Sequence, residues 1–146
     1  MAVDVLVETV IDRPVAEVAD YAADPSHAPE WYANIAEVVW ETAPLVEPGA
    51  RARFVARFLG RTLAYTYEIR EHLPQQRLVM STQQGPFPME TTYTWAAAGA
   101  GTRMTLRNRG EPAGFTGIAA PALALAMRRA TRKDLARLKA RLESRG

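Results

Sequence analysis

The side chains best suited to chemistry in this 146-residue chain are apolar groups that end in one polar tip. Tyr32, Tyr65, Tyr67, Thr82, Thr91, Tyr93 and Trp95 fall among apolar neighbours. Buried phenol and indole groups need hydrogen-bond partners, and a few of them in an apolar pocket orient a ligand. For each tyrosine the alternative is a hydroxyl turned to water at a sheet rim. Nucleophiles are scarce. There is no cysteine, so thiol catalysis, thiolate zinc sites and disulfides are excluded. Only His27, His72, Ser26, Ser81 and Ser144 remain, without a G-x-S-x-G turn. His27 lies in a loop that could overhang a pocket mouth, with a capping role as the simpler reading, and His72 ends a strand and should face solvent. Two histidines among scattered acids make no metal pattern, and neither metal nor cofactor is expected. Acid–base catalysis would need a tyrosine, carboxylate or arginine beside an apolar pocket. Glu90, Tyr93 and Arg103 are the candidates, but alternation sends Glu90 and Arg103 to the face opposite Leu106 if the register holds.

These side chains need elements to position them. The length suits one domain, residues 1–146, and 48% hydrophobic with 23% charged residues is a globular composition. Val3–Ile11 alternates as a strand, and Pro14 opens a helix through Ala23. A short helical piece follows at Ala28–Tyr32. Six further strands are expected at Ile35–Thr42, Arg51–Leu59, Thr62–His72, Arg77–Gln83, Glu90–Ala97 and Thr102–Arg109. Short Gly- and Pro-rich separators favour antiparallel neighbours, because a parallel crossover needs about a dozen residues or more. Phe115–Glu143 is a long helix, bent near Pro121. The fold class is therefore α+β, with a seven-stranded antiparallel sheet covered by the C-terminal helix.

Alternation turns Phe54, Phe58, Leu63, Tyr65, Tyr67, Ile69, Leu78, Met80, Tyr93, Trp95, Met104 and Leu106 inward. The covering stripe of the helix runs through Gly117, Ala120, Ala124, Met127, Thr131, Leu135, Leu138 and Leu142. Its leucine end can reach the sheet. Its first half cannot, and the sheet curving away beneath it predicts a cavity. The competing expectation is a core plugged by Trp31, Tyr32 and the loop Gln84–Met89. Empty core space costs roughly 24 cal/mol per Å3, so a sizeable void suggests a ligand or ordered water.

Five stretches in order resemble the helix-grip superfamily of START lipid-transfer domains, birch-pollen-allergen-like proteins and bacterial polyketide cyclase/dehydrase-type proteins. They are residues 10–18 (VIDRPVAEV), Asp24-Pro25 with Glu30-Trp31, Tyr67-Glu68-Ile69 with Pro74, residues 101–105 (GTRMT), and residues 135–139 (LARLK). The resemblance covers nearly the whole chain. It implies a curved sheet wrapped around the long helix and a small hydrophobic ligand (lipid-, polyketide- or quinone-like) in the cavity between them, with a cyclase or dehydratase in the same cavity as the alternative. It carries over no universal catalytic residue. The expected ligand contacts are Trp31, Tyr32, Phe54, Phe58, Tyr65, Tyr67, Met80, Tyr93, Trp95, Met104, Ala120 and Ala124.

Charge and hydropathy bound the partners. Ten acids against Arg13 alone in residues 1–47, and eight basic residues against two acids in 128–146, could mark a nucleic-acid partner. The charges are spread around the helix without stacking aromatics, so two solvated faces of one domain are expected and no nucleic acid. MAVDVLVETV lacks the marks of a signal peptide, and the uncharged run Phe115–Met127 is short of the roughly 20 residues of a spanning helix. The expectation is a cytoplasmic protein without stable membrane insertion, with a homodimer through that apolar run left open.

Overall fold

Alternation in the first strand builds the base of the molecule. In β1 (Val3–Ile11) Val3, Val5, Val7 and Ile11 are buried, while Asp4, Leu6, Glu8 and Val10 face out. The computed structural model describes residues 3–58, 60–84, 88–111 and 120–145, without the side chains of Phe58, Gln83, Gln84 and Ala120. After β1 come α1 (Val15–Ala22), a single 3-10 turn (Pro25–His27), and α2 (Ala28–Trp31). Six strands follow: β2 (Ile35–Trp40), β3 (Arg51–Phe58), β4 (Arg61–Leu73), β5 (Arg77–Gln84), β6 (Met89–Ala98) and β7 (Gly101–Gly110). The chain closes on α3 (Ala120–Glu143), whose first turn holds Pro121. The expected helical start at 115–119 lies outside the described residues.

The strands form one antiparallel sheet in the order β1-β7-β6-β5-β4-β3-β2, so the first strand closes against the last. Register shifts in β4 at Thr66/Tyr67 and Ile69/Glu71 bend the sheet, because an extra residue on one strand kinks it and increases its twist. This is the helix-grip arrangement: a curved sheet holding one long helix across its concave face.

The grip has a definite chemistry. Leu135, Leu138 and Leu142 are at most 1% exposed, one stripe at i, i+3 and i+7. Beside them the Arg128 guanidinium donates to the Leu6 carbonyl at 3.0 Å, and the Lys139 ammonium to the Val10 carbonyl at 2.7 Å. Eleven residues of helix span about 16 Å and four of strand about 13 Å, so the two cations fall in step with the two carbonyls. They cover an edge strand that would otherwise offer free backbone groups to another chain. At the far end Arg13 donates to the Leu142 and Glu143 carbonyls at 3.1 and 2.7 Å, capping carbonyls that the last turn leaves without partners. The charge asymmetry of the sequence is thus used largely inside the molecule. Arg137 and Arg141 reach Glu30, and Arg145 lies over the Tyr21 ring. Among the described residues no helix is long and apolar enough to cross a membrane.

Gly101 shows how tightly the closing pair is built. A Cβ at this position would stand 2.6 Å from the Ile11 carbonyl oxygen, a contact with backbone that a rotamer change cannot relieve. Gly101→Ala should therefore destabilise the fold by about 1–3 kcal/mol, the usual scale of overpacking. Urea unfolding of the two proteins measures it, and unchanged stability would refute the clash.

Candidate functional site

Beneath the middle of α3 the helix and the sheet part to leave a cavity of about 140 Å3. Strand alternation brings its walls together. Phe54 and Ala56 of β3 oppose Tyr65 and Leu63 of β4, and Tyr67 follows two residues on. Met80 of β5 opposes Thr91 of β6, which opposes Asn108 of β7. Met89 and Tyr93 flank Thr91 on the same face. The helix supplies Met127, Ala130, Thr131 and Asp134 at i+3 and i+4 steps, the turn leaving α2 supplies Tyr32 and Asn34, and β2 begins with Ile35.

The cavity lies farther along the helix than expected from the small residues. It sits under Met127–Asp134, whereas half-buried Ala124 packs against the core. Gly117 and the side chain of Ala120 lie outside the described residues. The tie to β1 explains the offset: the leucine stripe draws the last turns onto that edge, and the middle of the helix spans the strands that curve away from it.

Of the twelve expected contacts, Tyr32, Phe54, Tyr65, Tyr67, Met80 and Tyr93 line the cavity. Trp31, Trp95 and Met104 do not. They are packed into the core behind it, Trp31 with its ring 4.2 Å from Tyr32 and 5.9 Å from Tyr93. They hold the wall rather than form it. The side chain of Phe58 is outside the described residues, as is most of the loop Gln84–Met89 expected as a plug. Thr82 closes the β5–β6 connection by accepting the Met89 N–H at 2.9 Å and is not in the lining. Glu90 and Arg103 face away from the cavity, paired with Arg109 and Glu8, as alternation required. His27 is also away from it. Its Nδ1 donates to the Tyr21 carbonyl at 2.8 Å and its ring stacks on Tyr21, in a separate polar hollow with Glu30, Arg141, Ser144 and Arg145. His72 is half-buried rather than solvent-facing, with Nδ1 donating to the Val46 carbonyl at 3.1 Å. Among the described residues no cluster of acids and histidines could hold a metal ion.

Sequence reasoning missed Asn34, Ile35, Ala56, Met89, Asn108, Ala130 and Asp134. The signal for several was present. Met89 and Asn108 continue the inward alternation of Thr91 and Leu106, and Asp134 follows Thr131 on the helix stripe at i+3.

Two hydrogen-bonded sets of side chains and one carboxyl interrupt the apolar walls. The Tyr32 and Tyr93 hydroxyls share a hydrogen bond, and the Thr91 hydroxyl donates to Asn108 Oδ1 at 2.7 Å with the Tyr67 hydroxyl 3.4 Å away. Burial pushes the pKa of Tyr32, Tyr65, Tyr67 and Tyr93 upward, so all four stay neutral donors near pH 7. Asp134 is the charged member. It is 4% exposed, and its Oδ1 accepts the Ala33 N–H at 2.8 Å. Burial pushes its carboxyl up to about 6, against the pull of the Ala33 N–H, Arg137 and Lys133.

A carboxyl whose folded pKa is raised binds its proton more tightly in the native state, so its ionisation weakens the fold as pH rises from about 4 to about 6. Asp134→Asn keeps an acceptor for Ala33 and removes the charge. It should stabilise the protein by roughly 3 kcal/mol well above pH 6 and by nothing below pH 4. Urea unfolding across that range checks the sign. A stability gain that does not vary with pH would refute the assignment.

Residues 2–143 match the family described as polyketide cyclase/dehydrase and lipid transport. The fold is similar to that of a Thermus thermophilus protein, at 21% identity and TM-score 0.82, covering 98% of this chain and 99% of that one. A START superfamily protein from Mycobacterium smegmatis is similar at 13% identity and TM-score 0.82, with coverage of 98% and 99%. The ZhuI aromatase/cyclase from a Streptomyces species is similar at 16% identity and TM-score 0.81, with coverage of 99% and 96%. No curated protein matches the sequence.

Proposed function

Because the chain belongs to the polyketide cyclase/dehydrase and lipid transport family, we propose that its cavity binds a small, mainly apolar or aromatic molecule between the sheet and α3. The observation that carries this reading is the lining: four phenols, three methionines, a phenylalanine and aliphatic groups around about 140 Å3, with Asn34, Thr91, Asn108, Thr131 and Asp134 as the further polar side chains. Pockets of this make-up bury an apolar body and orient it by a small number of hydrogen bonds. Methionine side chains are flexible and polarizable, so the wall adapts to a flat ring. An apolar cavity of about 150 Å3 accommodates a benzene. The size therefore favours a single-ring ligand or head group, at the quinone-like end of the classes expected from the resemblance, over a multi-ring polyketide.

Ala130→Leu tests the reading. It pushes three more carbons from a helical position into the cavity, where leucine is nearly as good a helix former as alanine. Saturable binding of toluene or benzyl alcohol, followed by calorimetry, should fall at least about tenfold while the protein stays folded. Equal binding by the filled variant would place any ligand elsewhere. Native mass spectrometry of freshly purified protein reveals a retained molecule directly.

A second reading, an enzyme in the same cavity, has one specific observation in its favour. Burial pushes the Asp134 carboxyl up to about 6 at a position in the cavity wall, within reach of proton transfer at neutral pH, whereas burial keeps the four phenols protonated and unable to act as bases. Glu90 and Arg103 offer nothing to it, since both lie on the far face. Asp134→Asn separates the readings. Turnover of a candidate substrate lost with binding retained would favour the enzyme, and saturable binding without consumption of any candidate would favour the carrier.

A further inference from the structure

We infer that Asp134 makes the cavity selective by charge: it takes a ligand whose polar end is a hydrogen-bond donor, a hydroxyl or an ammonium group, and rejects the carboxylate of the same size. The inference rests on the binding reading above and names the kind of molecule that reading leaves open.

The lining contains one ionisable acid and, among the described residues, no lysine, arginine or histidine. The segments outside the described residues carry no Lys, Arg, His, Asp or Glu either. Among the described residues, no lining side chain therefore offers an anionic ligand a counter-charge. A carboxylate has roughly four lone-pair sites, and the Ala33 N–H at 2.8 Å takes one of them at Oδ1. The unused acceptor capacity sits in a wall of phenols whose ring faces are themselves electron-rich, an arrangement that attracts donors and cations. A buried carboxylate and a ligand carboxylate in the same small space repel by about 4 kcal/mol at 4 Å and a protein-like dielectric. A ligand hydroxyl or ammonium has the opposite effect. It replaces the hydration that Asp134 gives up on burial.

The groups facing Asp134 come from four elements. Lys133 and Arg137 stand on its own helix and favour its ionised form, as does the Ala33 N–H from the α2–β2 turn. Tyr32 from that turn and Tyr93 from β6 feel its charge, and Tyr67 of β4 faces both phenols. With the midpoint near 6, the selection holds at neutral pH and relaxes in mild acid, where Asp134 becomes neutral and can itself donate.

Four one-ring probes test this: toluene, benzyl alcohol, benzylamine and benzoate, titrated by calorimetry into the wild-type chain and Asp134→Asn. At about pH 7.5 benzoate should bind the wild type at least about tenfold more weakly than benzyl alcohol, and Asp134→Asn should bring the two within about threefold. Benzylamine binding more tightly than benzyl alcohol would identify the donor as an ammonium, and the reverse order as a hydroxyl; both support the inference. The wild type at about pH 5 is an arm independent of the substitution, where benzoate, still an anion, should recover most of the deficit. If benzoate matches benzyl alcohol in the wild type, or if neither the substitution nor acid changes their ratio, charge selection is wrong while toluene binding leaves the cavity reading intact. If none of the four probes binds, the cavity reading falls and the selectivity falls with it.

Discussion

The structure depends on the way α3 is tied to one edge of the sheet. Leu135, Leu138 and Leu142 bury their side chains at that edge, and Arg128, Lys139 and Arg13 fasten the helix to backbone carbonyls on either side. Burial of three leucines contributes about 1.5–3 kcal/mol each. That exceeds the cost of placing one carboxylate under the helix, so the charge is carried without loosening the grip. Because the tie is at the β1 side, the middle of α3 is held at a height it does not set for itself. The cavity is what remains between that height and the bend in β4.

Most of the architecture was legible because it rests on short-range rules. Period-two alternation with β-branched residues predicted β1 at its observed bounds, and the Gly- and Pro-rich separators predicted the antiparallel meander. The sheet-side wall was legible for the same reason: Phe54, Tyr65, Tyr67, Met80 and Tyr93 each follow from alternation once a strand is assigned. The helix-side wall was not. The small residues Ala120 and Ala124 marked where a helix could stand off, but the height of a helix is set by its ties elsewhere. The carbonyl caps by Arg128 and Lys139 depend on two elements more than a hundred residues apart in the chain. No local pattern contains them. Trp31 and Trp95 illustrate the converse limit: an aromatic residue on the inward face either lines a cavity or supports the residues that do, and alternation cannot separate the two.

Asp134 connects the tie, the wall and the chemistry. Its carboxylate accepts the Ala33 N–H and so anchors the turn that carries Tyr32 and Asn34 into the cavity lining. An asparagine at this position would make the same contact without desolvating a charge, and would be the more stable choice for a purely structural anchor. Natural chains sit close to their stability threshold, and departures from local optimality concentrate where a site needs them. A buried carboxylate that both shapes a cavity and faces its phenols is such a departure. Its backbone contact explains why an acceptor is present, and the donor-bearing ligand we propose would explain why the acceptor is charged.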